Sequence, residues 1–284
     1  MLHQWHGTIE LIRRALAEDE VAADATSGLL PDDLSSEGFL MAKAHGVLAG
    51  IDVALQVFHE VDPALRTWVL TADGSAVEKG QNLARMEGRM SSMLRAERTA
   101  LNLLQRMSGI ATYTNAFVRA IEGTGAIIID TRKTLPGFRL LDKYAVRMGG
   151  GHNHRMNLAD GVLIKDNHIA AMARRGLTLA DLVRRARSQA PHTVRIEVEC
   201  DSLEQVREAL DAGADIVMFD NMTPEQMRQG VALCKGRALT EASGGVTLES
   251  VRAIALTGVD LISTGQITHS VKALDISLEV HPAN

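Results

Sequence analysis

The sequence predicts an α/β protein: an N-terminal α/β sandwich followed by an open, incomplete (β/α) barrel. Three observations carry this reading. A chain of 284 residues, 46% of them apolar, is large enough to bury one large or two ordinary cores. Up to about residue 108 a helical pattern is mixed with short β-rich stretches and turn signals. From Gly123 onward, apolar β-type runs alternate with helical stretches at intervals of about 20 to 35 residues, the rhythm of repeated β-α units.

Taken in order, Ile9, Ile12, Leu16 and Val21 fall on about one helical face and predict an opening helix. The stretches Gly46 to Ala54, Leu65 to Thr71 and Gln81 to Glu87 read as β-rich. Between them, Ala72-Asp73-Gly74-Ser75 and Glu78-Lys79-Gly80 are turn chemistry, because glycine supplies the positive φ of tight turns. Arg98 starts an apolar helical stretch that includes Leu101, Leu104 and Met107. Six parallel strands are expected at Ala126–Asp130, Val162–Asp166, Val194–Glu199, Ile216–Asp220, Ala238–Ser243 and Val259–Thr264. Helices fall between them: Leu179 to Gln189 has one apolar face, Ser202 caps Leu203 to Ala212, and Thr223-Pro224-Glu225 opens another with Pro in its first turn. A doubly wound open sheet is the alternative that connection rules leave open.

Charge and composition exclude several classes. With 30 basic and 35 acidic residues the formal charge is −5, which offers no global attraction for nucleic acid. No apolar run approaches the roughly 18 residues that span a bilayer, and Met1 to Glu20 lacks the order of a secretion signal. The expectation is a soluble, cytoplasmic protein with no nucleic-acid or membrane partner. Cys200 and Cys234 are read as two buried thiols.

Each apolar run ends in reactive groups: Asp130 before Arg132-Lys133, Lys165-Asp166, Glu197 and Glu199, Asp220-Asn221, Glu241 before Ser243-Gly244-Gly245, and Thr264-Gly265. In a β/α fold these strand ends converge on one mouth. Arg132, Lys133, His154, Arg155 and Lys165 suit a ligand with several negative charges. Glu197 and Asp220 suit hydroxyls, a hydrated magnesium ion or a developing positive charge. Gly149-Gly150-Gly151 reads as a helix stop that also delivers His154 and Arg155 to the mouth. Ser243-Gly244-Gly245, before a helix expected near Thr247, is a candidate phosphate cradle, with Gly265 in the matching place one unit on. His152, His154 and His168 complete no zinc set.

These motifs, in order, are Glu97-Arg98-Thr99-Ala100-Leu101-Asn102, Ser108-Gly109-Ile110-Ala111-Thr112, Asp130-Thr131-Arg132-Lys133-Thr134 with Pro136-Gly137, Lys143-Tyr144-Ala145-Val146, Gly149-Gly150-Gly151, Asn153-His154-Arg155 and Lys165-Asp166-Asn167-His168. In that order the chain resembles quinolinate phosphoribosyltransferase, the carboxylating nicotinate-nucleotide pyrophosphorylase, from end to end. The resemblance implies a sandwich domain at 1–108 with the tail 271–284 packed back on it, and a barrel at 109–270. It also implies magnesium, a homodimer with shared active sites and, in some members, a hexamer.

By motif position, Arg132, His154, Arg155 and Lys165 would contact the two carboxylates of quinolinate, with Arg98 reaching in from the neighbouring subunit. Lys133, Glu197 and Asp220 would attend phosphoribosyl pyrophosphate and its magnesium, the last two as metal ligands. Ser243, Gly244, Gly245 and Gly265 would hold the terminal phosphate. Where the family commonly has Ser-Val-Gly-Ala, this chain has Ser263-Thr264-Gly265-Gln266, so the backbone role of Gly265 is kept and its neighbours' side-chain contacts are not. The implied reaction needs no protein nucleophile. Two rivals stand beside it: a Schiff-base aldolase using Lys165, and a non-catalytic sensor of sugar phosphates.

Overall fold

The computed structural model describes residues 6–31 and 33–282. In chain order its elements are α1 (His6–Glu18), β1 (Ser35–Ala42), β2 (Gly46–Val47), α2 (Ile51–Val61), β3 (Arg66–Val69), β4 (Ala76–Val77), β5 (Asn82–Arg89) and α3 (Met90–Ala120). There follow β6 (Ile127–Ile129), α4 (Arg139–Met148), β7 (Val162–Ile164), α5 (Asp166–Ala173), α6 (Leu179–Gln189), β8 (Ile196–Cys200) and α7 (Leu203–Asp211). The last are β9 (Ile216–Asp220), α8 (Pro224–Cys234), β10 (Leu239–Ser243), α9 (Val251–Ala255), β11 (Leu261–Ser263), α10 (Gln266–His269) and β12 (Ile276–Pro282).

Two compact units divide the chain. The first takes residues up to Asn115, then 135–150 and the chain from Ser270 on; the second takes 116–134 and 151–269. The helix α3 therefore runs unbroken through residue 108, and α4 counts with the first unit although β6 and β7 flank it in sequence.

The first unit holds a four-stranded antiparallel sheet, ordered β12-β1-β5-β3. Two of its strands were not legible locally: β1 alternates buried and half-buried residues through Ser36, Gly38 and Leu40, and its partner β12 lies more than 200 residues away. The expected β-rich stretch Gly46 to Ala54 is corrected. Only Gly46 and Val47 form a strand, and α2 starts at Ile51. Gly50, at φ 95°, turns the chain, and the Asp73 carboxylate accepts from the Gly50 and Ile51 N–H groups at 2.9 and 3.0 Å. That cap comes from the Asp73-Gly74 turn, 22 residues downstream.

The second unit is a six-stranded, all-parallel sheet ordered β6-β11-β10-β9-β8-β7. Consecutive β6 and β7 lie at opposite edges, so the barrel is open; a single parallel bridge ties Ile129 of β6 to His152. Strand cores such as Ile128, Val198, Val217, Phe219 and Ile262 are buried, as parallel strands covered by helices require. The caps predicted from sequence are present: Ser202 accepts from Gln205 N–H, and Thr223 from Gln226 N–H with Pro224 in the first turn. The helix expected near Thr247 begins later, at Val251, because Thr247 and Ser250 close a hydrogen-bonded turn on each other first. Among the described residues no helix is long and apolar enough to cross a membrane.

Candidate active site

The C-terminal ends of the parallel strands carry the reactive groups, and partners in a parallel ladder project to the same face. On β6 and the loop before β7 the charges are cationic. Arg132 has a buried Nε with no hydrogen-bond partner among the described residues. Arg155 donates from Nη1 to Gly161 O at 2.9 Å, and its ordinarily very high pKa is lowered, first by burial and then by the neighbouring Arg132. Two guanidiniums that feel each other's charge, one with a donor left over, suit a shared anion.

The loop that presents Arg155 is fixed from below by Asp130, fully buried at the end of β6. Its Oδ2 accepts from Asn153 Nδ2 at 2.7 Å and its Oδ1 from His154 N at 2.9 Å. His154 turns inward: Nδ1 accepts from Arg155 N at 2.7 Å, which leaves the ring proton on Nε2, 3.2 Å from Glu197 Oε2 and 3.8 Å from Glu241 Oε2. In this state both ring nitrogens have partners inside the protein. The same tautomer leaves no lone pair for a metal on Nε2, although His154, Glu197 and Glu241 bring donor atoms within 4.8 Å of one another. His168 is occupied differently, since its Nδ1 accepts from Lys165 N at 2.9 Å and caps α5.

Lys165 pairs with Glu199 at 2.6 Å. The expected partnership of Glu197 with Asp220 at one metal is not what the register produces. Glu197 lies opposite Ile216, four residues before Asp220, which places Asp220 about 13 Å further along the strands at ~3.3 Å per residue. Glu199, opposite Met218, is the acid of β8 nearer that level. Glu197 belongs instead to the interior, with Glu241.

Asp220 ends β9, accepts from Asn221 Nδ2 at 3.2 Å and pairs with no cation among the described residues. Asn221 takes the left-handed region at φ 55° and donates its N–H to Ser243 O at 3.1 Å. Gly244 (φ 85°) and Gly245 (φ 59°) follow, and a Cβ at 244 would collide with the Asn221 side chain. The turn thus needs glycine on both counts. Gly265 is buried, and a Cβ there would lie 2.8 Å from Lys133 Cδ, so this glycine lets the Lys133 side chain pass. Thr264, at the sequence departure, is tied to backbone: it donates to Val246 O and accepts from Gln266 N, both at 3.2 Å.

Arg98 belongs to α3 in the first unit, where it is largely exposed and 3.9 Å from Glu97. It lines a hollow with Asn102, Arg106 and Phe138.

Sequence reasoning counted Asp130, Glu199 and Glu241 among the strand-end groups but gave none of them a role in the site. The signal for Glu241 was an acid inside an otherwise buried strand, Leu239-Thr240-Glu241-Ala242-Ser243. Burial first, and then the Glu197 carboxylate, hold its carboxyl well above the usual range. Such a group costs nothing while protonated, and destabilises the fold as pH rises from the unfolded value through the folded one. Glu241→Gln, which cannot ionise, should therefore gain stability over the wild type by a larger margin at about pH 8 than at about pH 5. Urea unfolding at both values measures this; an equal difference at both would show that ionisation of Glu241 is unopposed.

Cations on one side of the mouth, with carboxylates and a glycine turn on the other, at the C-terminal ends of a parallel sheet, define an α/β-barrel enzyme acting on small anionic molecules. Comparison with known proteins narrows the class. Family models described as quinolinate phosphoribosyl transferase match over both domains, the N-terminal at residues 24–108 and the C-terminal at 110–279. A probable nicotinate-nucleotide pyrophosphorylase (carboxylating) of Bacillus subtilis is 44% identical over 275 residues, 97% of this chain and 94% of the relative. Quinolinate phosphoribosyltransferase (decarboxylating) 2b of Nicotiana tabacum is 42% identical over 98% of this chain and 83% of its own length. The solved structure of the nicotinate-nucleotide pyrophosphorylase from Francisella tularensis superposes with a TM-score of 0.91 at 39% identity, covering 97% of this chain and 96% of that one. The chain belongs to the quinolinate phosphoribosyltransferase family.

Proposed function

We infer that the chain transfers the phosphoribosyl group of phosphoribosyl pyrophosphate to the ring nitrogen of quinolinate, with decarboxylation, in the biosynthesis of NAD. The products are nicotinate mononucleotide, pyrophosphate and carbon dioxide. The observation that supports this best within the molecule is the Arg132–Arg155 pair, two electrostatically coupled guanidiniums with a buried donor to spare, in the same unit as the Asp220–Asn221–Gly244 turn.

Arg132, Arg155 and Lys165 bind the two carboxylates of quinolinate and aim its ring nitrogen at the sugar. The nitrogen attacks the anomeric carbon while its bond to pyrophosphate breaks. Asp220 and Glu199 stabilise the positive charge that develops there and hold ribose hydroxyls. Ser243, the N–H groups of Gly244 and Gly245, and the passage at Gly265 receive the terminal phosphate, with Lys133 beside it. The ribosylated ring is a pyridinium, which accepts the electron pair left when the adjacent carboxylate departs as carbon dioxide. A proton then takes that ring position. Magnesium suits the hard oxygen donors of Asp220, which pairs with no cation among the described residues, and of Glu199; when bound it would neutralise charge on the leaving pyrophosphate. His154 acts by holding Arg155 rather than by a free ring nitrogen.

Mixing the purified protein with quinolinate, phosphoribosyl pyrophosphate and magnesium should yield nicotinate mononucleotide and carbon dioxide. Nicotinate, which lacks the carboxylate next to nitrogen, should react poorly because a buried cation would be left unpaired. Comparable turnover of the two acids would overturn the substrate assignment.

A cytoplasmic homodimer completes the reading, a hexamer being a further assembly of it, with Arg98 of one copy serving the pocket of the other. Arg98→Ala and Lys165→Ala should each be nearly inactive alone. Co-expressed, they should recover up to about a quarter of wild-type activity, since a mixed dimer holds one pocket with both defects and one with neither. No recovery, with subunit exchange verified by mass spectrometry, would place Arg98 outside the partner's site.

A further inference from the structure

Lys133 is an exposed residue in irregular chain after β6, with no helix or strand of its own to fix it. Its backbone is nevertheless held at both polar groups. The N–H donates to Thr131 Oγ1 at 3.0 Å, and the carbonyl accepts from the Thr268 hydroxyl at 2.8 Å. Thr268 is fully buried on α10 and reaches this carbonyl because β11 pairs with β6, Ser263 opposite Ile129, so the chains leaving the two strands run side by side. A hydroxyl has one proton to give, and two carbonyls are in reach: Lys133 O, and Gly265 O at 3.1 Å. Gly265 O already accepts from the Thr268 and His269 N–H groups, both at 3.0 Å. The shorter contact, to Lys133 O, is therefore the one the proton serves.

The base of this tether is itself anchored. Buried Thr264 donates to Val246 O and accepts from Gln266 N, which ties the Gly265 turn to the chain that follows Gly244 and Gly245. Lys133 is thus registered twice against that turn: its carbonyl by the Thr268 hydroxyl, and its side chain by the space that Gly265 leaves beside Lys133 Cδ. A long side chain loses much rotamer freedom when it pairs with an anion, and a fixed backbone beneath it removes part of that cost before the ligand arrives. We propose that Thr268 is a positioning residue for phosphoribosyl pyrophosphate: its hydroxyl holds the Lys133 carbonyl and so keeps the lysine beside the Gly265 turn, where the terminal phosphate is received. The role rests on the substrate assigned above.

Calorimetric titration with phosphoribosyl pyrophosphate and magnesium, without quinolinate, reads the effect directly. Thr268→Val keeps the shape of the side chain and removes only the hydroxyl; it should weaken binding about 5- to 10-fold, within the range for one lost neutral hydrogen bond. Thr268→Ser keeps the hydroxyl and should stay within about 2-fold of the wild type. The KM for quinolinate should move much less than either, since Asp130 holds the loop of Arg155 without this hydroxyl. In a Lys133→Met background, Thr268→Val should add less than about 2-fold, because the ammonium that it positions is gone. Thermal unfolding shows that each variant is folded before it is titrated. Binding by Thr268→Val as tight as the wild type's, a Thr268→Ser variant as weak as Thr268→Val, or the full loss persisting beside Lys133→Met would overturn the proposal while the assigned reaction stands. A wild-type protein that binds no phosphoribosyl pyrophosphate would overturn the substrate assignment itself.

Discussion

Arg155→Ala should weaken quinolinate binding by roughly 2 to 5 kcal/mol, the range for removing one partner of a desolvated charge pair, and should leave phosphoribosyl pyrophosphate binding nearly intact. The reason lies in its neighbours. Arg155 feels the charge of Arg132, and burial already disfavours its own; an anion bridging the two relieves both costs, whereas Arg132 alone offers half the fork. Asp220→Asn should show the opposite bias, because Asp220 stands by the glycine turn and accepts there from the Asn221 amide. Calorimetric titration of each variant with each ligand tests the pair together. Equal losses for both ligands in both variants would mean that the two halves of the mouth do not bind separately.

The barrel was legible because its signals are local. The run Ile216–Asp220 coincides with β9, and the other five expected runs each contain their strand or overlap it to within two residues at either end. Apolar β-branched residues bounded by helix caps say "parallel strand" without knowledge of the partner. The antiparallel sheet was not legible in the same way. Strand β1 contains Ser36 and Gly38, and what makes it a strand is its position between β12 and β5. The start of α2 depends on Asp73, and no local pattern announces a cap that distant. In the site, residue types were visible and their heights were not. Glu197 and Glu199 share a face of β8, so sequence parity cannot choose between them. Only the register against β9 separates the acid that faces His154 from the acid that meets Lys165. The histidines were ambiguous for a related reason: His168 caps a helix and His154 anchors a loop, both through backbone bonds that spacing does not reveal.

The largest effect on architecture and activity together is expected at Asp130, which the strand-end reading treated only as the residue before Arg132. Its carboxylate is fully buried and takes a side-chain amide from one residue and a backbone N–H from the next, both in the loop that carries Arg155. Asp130→Ala leaves two half-buried donors without their acceptor, and the cost should be about 2 kcal/mol in stability, with a larger loss in turnover because the loop that carries Arg155 is no longer held. Asp130→Asn separates the two bonds. An amide can still accept from His154 N, but its NH2 then faces the NH2 of Asn153, donor against donor. The reciprocal exchange Asp130→Asn with Asn153→Asp restores a donor and an acceptor across that 2.7 Å contact. The double variant should therefore recover most of the activity lost by the single one, chiefly through the KM for quinolinate, with the KM for phosphoribosyl pyrophosphate changing little in either. A folded double variant as inactive as Asp130→Asn would show that the charge at position 130, and not its hydrogen-bond pattern, is what the loop requires.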